Sequence, residues 1–179
     1  GQRGLCLGNN TIRFNKILFN EAFFGALLAG AGDGGGISIG GNAAGGAGTG
    51  NVTINGNLIQ GNMTGAGYGG GIRASAVNGA EVAASPANPA NWYTLNIINN
   101  IIVNNVAGLT GAGISLQDVA KANIVNNTIA NNDCTATSAL AFTAGQPNST
   151  PQPSGVVGAP HSSVLIALFD ASVVQTYSN

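Results

Sequence analysis

The sequence predicts an all-β fold, a parallel β-helix of roughly five to six coils with lateral loop insertions. Three observations carry that expectation. The pattern I-x-x-N-x-I-x-x-N recurs four times without a mismatch, at Ile12-Asn15-Ile17-Asn20, Ile54-Asn57-Ile59-Asn62, Ile97-Asn100-Ile102-Asn105 and Ile124-Asn127-Ile129-Asn132. The copies start 42, 43 and 27 residues apart, a spacing too irregular for a coiled coil and suited to one structural unit with loops of variable length. A second signature follows each copy: a small residue, an aliphatic one, a variable one and usually another apolar one. It reads Gly36-Ile37-Ser38-Ile39, Gly71-Ile72-Arg73-Ala74 and Gly113-Ile114-Ser115-Leu116, then in degenerate form Ala139-Leu140-Ala141-Phe142. Gly4-Leu5-Cys6-Leu7 fits the same slot ahead of the first unit. Third, the short β-branched runs alternate apolar and polar, with Asn and Gly at the breaks where turns and left-handed backbone are needed.

Strands this short, with no helix between them, cannot bury a face alone. Stacking unit on unit buries a continuous ladder of Ile, Leu and Val, and it places equivalent residues about 4.8 Å apart. That distance lets Asn side chains in successive coils donate and accept in line. Two ladders are expected, one of Asn15, Asn57, Asn100 and Asn127 and one of Asn20, Asn62, Asn105 and Asn132. The paired motifs "IINNIIVNNVAGLTGAGISL" and "NIVNNTIANN" resemble the right-handed parallel β-helix repeats of the pectate-lyase-like superfamily. The resemblance covers nearly the whole chain outside its loops. It implies a right-handed solenoid and is specific for fold, not for function. That superfamily holds lyases, glycoside hydrolases, tailspikes and non-catalytic surface proteins, the last being the type expected here from the residues themselves.

The segment "GAGDGGGISI" contains G-x-G-x-x-G, the outline of a dinucleotide loop, and "GAGYGGG" repeats it one unit later. A dinucleotide loop needs a helix after it, whose N-terminus holds the pyrophosphate. Here each glycine run leads into a strand, so geometry is the expected reason for the glycines. A calcium-binding nonapeptide fails as well, because Asp33 is the only Asp of that region and calcium takes six or more oxygens.

Composition sets further bounds. The 179 residues include 29 glycines but only five Lys and Arg and six Asp and Glu, for a net charge of −1. Hydrophobic residues make up 44%, so a folded state is expected despite the low complexity. Five scattered cations cannot form the basic patch that nucleic acid requires. No apolar run approaches the ~18–20 residues of a membrane span, so no membrane insertion is expected. The start of the chain looks like the interior of a fold, and a longer parent polypeptide is expected.

Insertions are expected near residues 21–33, 40–50, 75–93 and 143–162. The apolar stretch Phe23, Phe24, Leu27 and Leu28 is expected to cap the side of the tube. Trp92 and Tyr93, in "SPANPANWY", read as packing the loop onto the coil, with stacking on a sugar ring as the alternative.

For chemistry, a glycosidase needs two carboxylates ~5–9.5 Å apart. The six acids, Glu21, Asp33, Glu81, Asp118, Asp133 and Asp170, are dispersed, and no two share a local motif. Asp33 and Asp118 flank the same slot in different units and are not expected to meet. A lyase needs a base and a cation or metal; Arg73 with Lys121 or His161 is the one conceivable set, and no spacing brings them together. With Ile37 and Ile39 inward, Ser38 points outward, with Cys6, Arg73, Ser115 and Ala141 as its stack-mates. That face reads as flat and polar, with one Arg and no carboxylate. Arg73, Ser115, Gln117, Trp92 and Tyr93 are the candidate ligand residues. Cys6 and Cys134 should lie about 19 Å apart, beyond disulfide reach. An ice-binding solenoid would want a regular Thr ladder, and none is visible.

The expected function is therefore a non-catalytic secreted or cell-surface scaffold that presents loops for adhesion or assembly. No cofactor or metal is expected. Flanking coils or partner subunits are expected at both ends, and polysaccharide is a candidate ligand. Two alternatives stand beside this one: a polysaccharide lyase or hydrolase whose catalytic coils lie elsewhere, and a glycan-binding module.

Overall fold

The computed structural model describes residues 8–23, 32–41, 46–159 and 176–178. The first circuit of the chain comprises β1 (Asn10–Arg13), β2 (Lys16–Leu18), β3 (Glu21–Ala22) and β4 (Ile37–Gly40). The second comprises β5 (Val52–Asn55), β6 (Leu58–Gln60), β7 (Met63–Thr64) and β8 (Ile72–Ser75). The third comprises β9 (Leu95–Ile98), β10 (Ile101–Val103), β11 (Val106–Ala107) and β12 (Ile114–Gln117). The fourth comprises β13 (Ala122–Val125), β14 (Thr128–Ala130), β15 (Asp133–Cys134) and β16 (Val156–Ala159), and β17 (Thr176–Ser178) follows. Each circuit gives one strand to each of four parallel sheets, ordered β1-β5-β9-β13-β17, β2-β6-β10-β14, β3-β7-β11-β15 and β4-β8-β12-β16. This is the plan of a solenoid-like parallel β-helix.

The register stacks like on like. In the first sheet Ile12, Ile54, Ile97 and Ile124 are successive partners, and in the second Ile17, Ile59, Ile102 and Ile129. The alternation expected of strands puts these rows inward, where Ile54, Ile59, Ile97 and Ile102 are fully buried. They join Ile37, Ile72, Ile114, Leu116 and Leu95 in one core.

The corners explain the Asn-Asn doublets. At the bend between the first and second sheets the successive residues are Phe14, Gly56, Asn99 and Asn126, all at positive φ. At the next bend Phe19, Gly61, Asn104 and Asn131 share that conformation. Gly and Asn tolerate left-handed backbone best, so the first member of each doublet serves the bend. The second member enters the ladder. Asn15 Nδ2 donates to Asn57 Oδ1 at 3.1 Å, Asn57 to Asn100 at 3.0 Å and Asn100 to Asn127 at 2.9 Å. The second ladder runs from Asn20 to Asn62, Asn105 and Asn132 at 2.9, 3.0 and 2.9 Å. Both ladders thus consist of the residues the repeat singles out.

The glycines before the fourth sheet have a packing reason. A methyl group on Gly71 would lie 2.7 Å from Gly113 O and 3.1 Å from Asn105 Nδ2, and one on Gly113 would lie 3.0 Å from Asn132 Nδ2. At Gly71 and Gly113 the ladder amides occupy the space a Cβ would need, and at Gly35, Gly67 and Gly70 of the G-x-G-x-x-G outlines a Cβ would run into carbonyl oxygens of neighbouring circuits, a packing reason that involves no nucleotide.

Two placements differ from the sequence reading. Ala139-Leu140-Ala141-Phe142 is not a strand of the fourth sheet; residues Ala139–Ala141 form a 3-10 turn whose start is held by Ser138 Oγ accepting from Leu140 N. Its strand slot is filled by β16, which lies inside the segment 143–162 read as loop, so Ser115 pairs with Val157, and Ala141 is no stack-mate. The reason is local: Ser138 offers a cap, whereas Val156 and Val157 are a β-branched pair entered from Gly155. The segment 75–93 likewise carries a short helix, α1 (Ala80–Ala84), and a 3-10 turn at Pro89–Asn91. Asn78 ties it down: Nδ2 donates to Glu81 Oε1 at 2.8 Å and Tyr93 O at 2.9 Å, and Oδ1 accepts from Ala120 N at 2.7 Å. No helix among the described residues is long and apolar enough to cross a membrane.

Candidate functional site

The outer face of the fourth sheet gathers the polar side chains that the sequence places there. Along it Ser38, Arg73, Ser115 and Val157 are successive partners, with Gly40, Ser75, Gln117 and Ala159 as the next row. Cys6, the remaining expected stack-mate, lies outside the described residues, as do Phe24, Leu27, Leu28, His161 and Asp170. The Cys6–Cys134 question lies there too.

Arg73 is the centre of this face, and it is not free. Its residue exposure is 5%, and that of Ser115 is 1%. One terminal nitrogen of the guanidinium donates to Ser115 Oγ at 2.9 Å and the other to Gln117 Oε1. Its carbon lies 4.5 Å from the centroid of the Tyr68 ring, in cation–π contact. Nε, buried and without a hydrogen bond, lies 3.7 Å from Asp33 Oδ2. The face read as lacking a carboxylate therefore has one, delivered from the turn before β4 and not from a strand. Asp33 also accepts from Tyr68 N at 2.8 Å, so one acid fixes both the ring and the charge it covers. Burial pulls the Arg73 pKa below its ordinary value, and Asp33, Tyr68 and Asp118 push it back.

Beside Arg73 lies a cleft of about 100 Å³ lined by Tyr68, Arg73, Thr110, Ser115, Leu116, Gln117 and Val157. Its polar groups Arg73, Ser115 and Gln117 are thus already bonded to one another. Trp92 and Tyr93 are not among its walls. Trp92 is buried with Nε1 donating to Ser85 O at 2.8 Å, and Tyr93 is half-buried against the core. Both serve the packing of the 75–93 insertion.

Tyr68, Thr110 and Asp33 escaped the sequence reading of this face. Tyr68 interrupts a glycine run, and Asp33 lies 40 residues before Arg73, close to the 42 that separate successive circuits there. Among the described residues no three of His, Cys, Asp and Glu come together as metal ligands. No protein-family model, curated protein or solved structure matches the chain.

Proposed function

We propose that the chain is a non-catalytic scaffold, a right-handed β-helix of five to six coils in the pectate-lyase-like manner, secreted or displayed at a cell surface. It would present its loops and outer faces for adhesion or assembly, and further coils or partner subunits would cover its ends. The observation that carries this reading is the engagement of Arg73. A lyase would need a cation free to meet a developing enolate and a base beside it. The guanidinium instead holds Ser115 and Gln117, lies beside Asp33 and stacks under Tyr68. It staples three circuits of the solenoid. A screen on acidic and neutral polysaccharides tests the reading: no new reducing or unsaturated ends are expected. Cleavage abolished by Arg73→Ala would overturn it.

A further inference from the structure

Three phenyl rings stand exposed on the first circuit: Phe14 at 75%, Phe19 at 71% and Phe23 at 58%. Each lies over a glycine of the second circuit, at a constant offset of 42 residues, and a methyl group on Gly56, Gly61 or Gly65 would come within 2.8, 2.6 or 2.9 Å of the ring concerned. Two of the rings sit on unfavourable backbone. Phe14 and Phe19 have φ of 56° and 54°, at corners where later circuits use Asn99, Asn126, Asn104 and Asn131. A bulky aromatic in left-handed backbone is an outlier, and such outliers cluster at functional sites. The solenoid does not need phenyl rings at these corners, since Asn and Gly serve elsewhere.

Between Phe14 and Phe19 lies the outer face of the second sheet. Register places Leu18, Leu58 and Ile101 outward there, and Ile101 is exposed. The face and its aromatic rim span about 16 Å across and about 14 Å along the axis, roughly 200–300 Å². A specific protein partner needs about 800 Å² per side, and over the four described circuits this face offers less than half of that. Nor does it form a basic patch for a polyanion: Lys16, in the same outward row as Leu58 and Ile101, and Arg13, 5.9 Å from the Phe14 ring centroid, stand with Glu21 on the same circuit, so the charges nearly cancel. A narrow, flat, nearly uncharged ribbon fits it best.

We infer that the second-sheet face, rimmed by Phe14 and Phe19, binds a neutral polysaccharide. The C–H faces of its sugars would lie on the rings and aliphatic side chains, and its hydroxyls would meet Gln60 and the corner amides. This deepens the adhesion reading above and rests on it.

The test is retention of the full chain on microcrystalline cellulose, insoluble chitin and a mixed-linkage glucan gel, alongside Phe14→Asn and Phe19→Asn. Retention by at least one polymer is expected, weakened tenfold or more in each variant. The melting temperature should be unchanged or raised, because Asn is the residue other circuits place at these corners. Retention by none of the three, or retention untouched by both variants, would overturn the inference. So would Phe-dependent binding to lipid vesicles or self-association in place of polysaccharide retention. Assaying the same polymers for new reducing ends keeps the two readings apart: cleavage sinks the scaffold, while loss of retention sinks only the binding face.

Discussion

Asn57 and Asn100 share one oxygen. The backbone N–H of Asn57 donates to Asn100 Oδ1 at 2.9 Å, and Asn57 Nδ2 donates to the same atom at 3.0 Å. Asn100 Nδ2 meanwhile reaches Ile54 O, Ile98 O and Asn127 Oδ1. Each ladder residue thus satisfies a bend that no sheet hydrogen bond can reach, and Asn57, Asn62, Asn100, Asn105 and Asn132 do so while buried.

Asn100→Ala is therefore expected to cost about 2–4 kcal/mol, because it orphans two buried donors and a buried carbonyl. Asn100→Asp keeps the acceptor but loses both donors and buries a charge. It should be at least as damaging at pH 7 and should recover partly on acidification, when the carboxyl becomes neutral and can donate. Urea midpoints at two pH values measure both effects.

The glycine stack makes a second demand. Gly71→Ala places a methyl group against Gly113 O and Asn105 Nδ2, neither of which can retreat without opening the sheet or the ladder. A loss of roughly 1–3 kcal/mol is expected. Gly145→Ala is a contrasting control, since its Cβ would meet open space and only its left-handed backbone resists. Chemical denaturation should rank Gly71→Ala as the more damaging of the two. Equal losses would mean that backbone freedom, and not the ladder, dictates the glycines.

Arg73 gives a third expectation. Arg73→Lys should behave nearly like Arg73→Ala, each losing about 1–3 kcal/mol, because a single ammonium cannot bridge Ser115 and Gln117 while lying flat on Tyr68. Ser115→Asp should be mild for a reason invisible in the sequence. Ser115 is buried, but the new carboxylate would face a guanidinium nitrogen that Ser115 Oγ already meets at 2.9 Å. Ile102→Asp, with no partner in the core, should unfold its neighbours; thermal melts of the two Asp variants compare them directly.

The parts of this molecule that repeat could be read from the chain. Ile12, Ile54, Ile97 and Ile124 recur because one cross-section is filled four times, and the ladder asparagines recur because each bend has the same unpaired groups. What failed to repeat was read less well. Ala139–Phe142 copies the strand pattern in composition, yet Ser138 caps it into a 3-10 turn, and the true strand waits beyond a loop of different length. The Asp33–Arg73 pairing joins a turn to a strand in the next circuit, so no local motif announces it. Phe14, Phe19 and Phe23 do carry a signal, the 42-residue match to Gly56, Gly61 and Gly65, but it emerges only when the chain is written circuit over circuit.

Cys134 supplies a prediction about pH. Its Sγ–H donates to Pro153 O at 3.4 Å, and burial, with some help from Asp133, raises the thiol pKa above its ordinary value near 9. In the folded chain the proton is held more tightly than in the unfolded chain. As pH rises through about 9, the unfolded state therefore releases its proton first and gains relative to the folded state, so stability falls. Below that range the group is protonated in both states and contributes no pH dependence. Cys134→Ala should remove this part of the alkaline loss. Other groups titrate in the same range, so the informative quantity is the difference between the urea midpoints of the two proteins at pH 7 and at pH 10. That difference should shrink or change sign at the higher pH. The half-buried thiol should also alkylate slowly at pH 8, since little thiolate is present, and fast modification in the folded protein would contradict the upward shift.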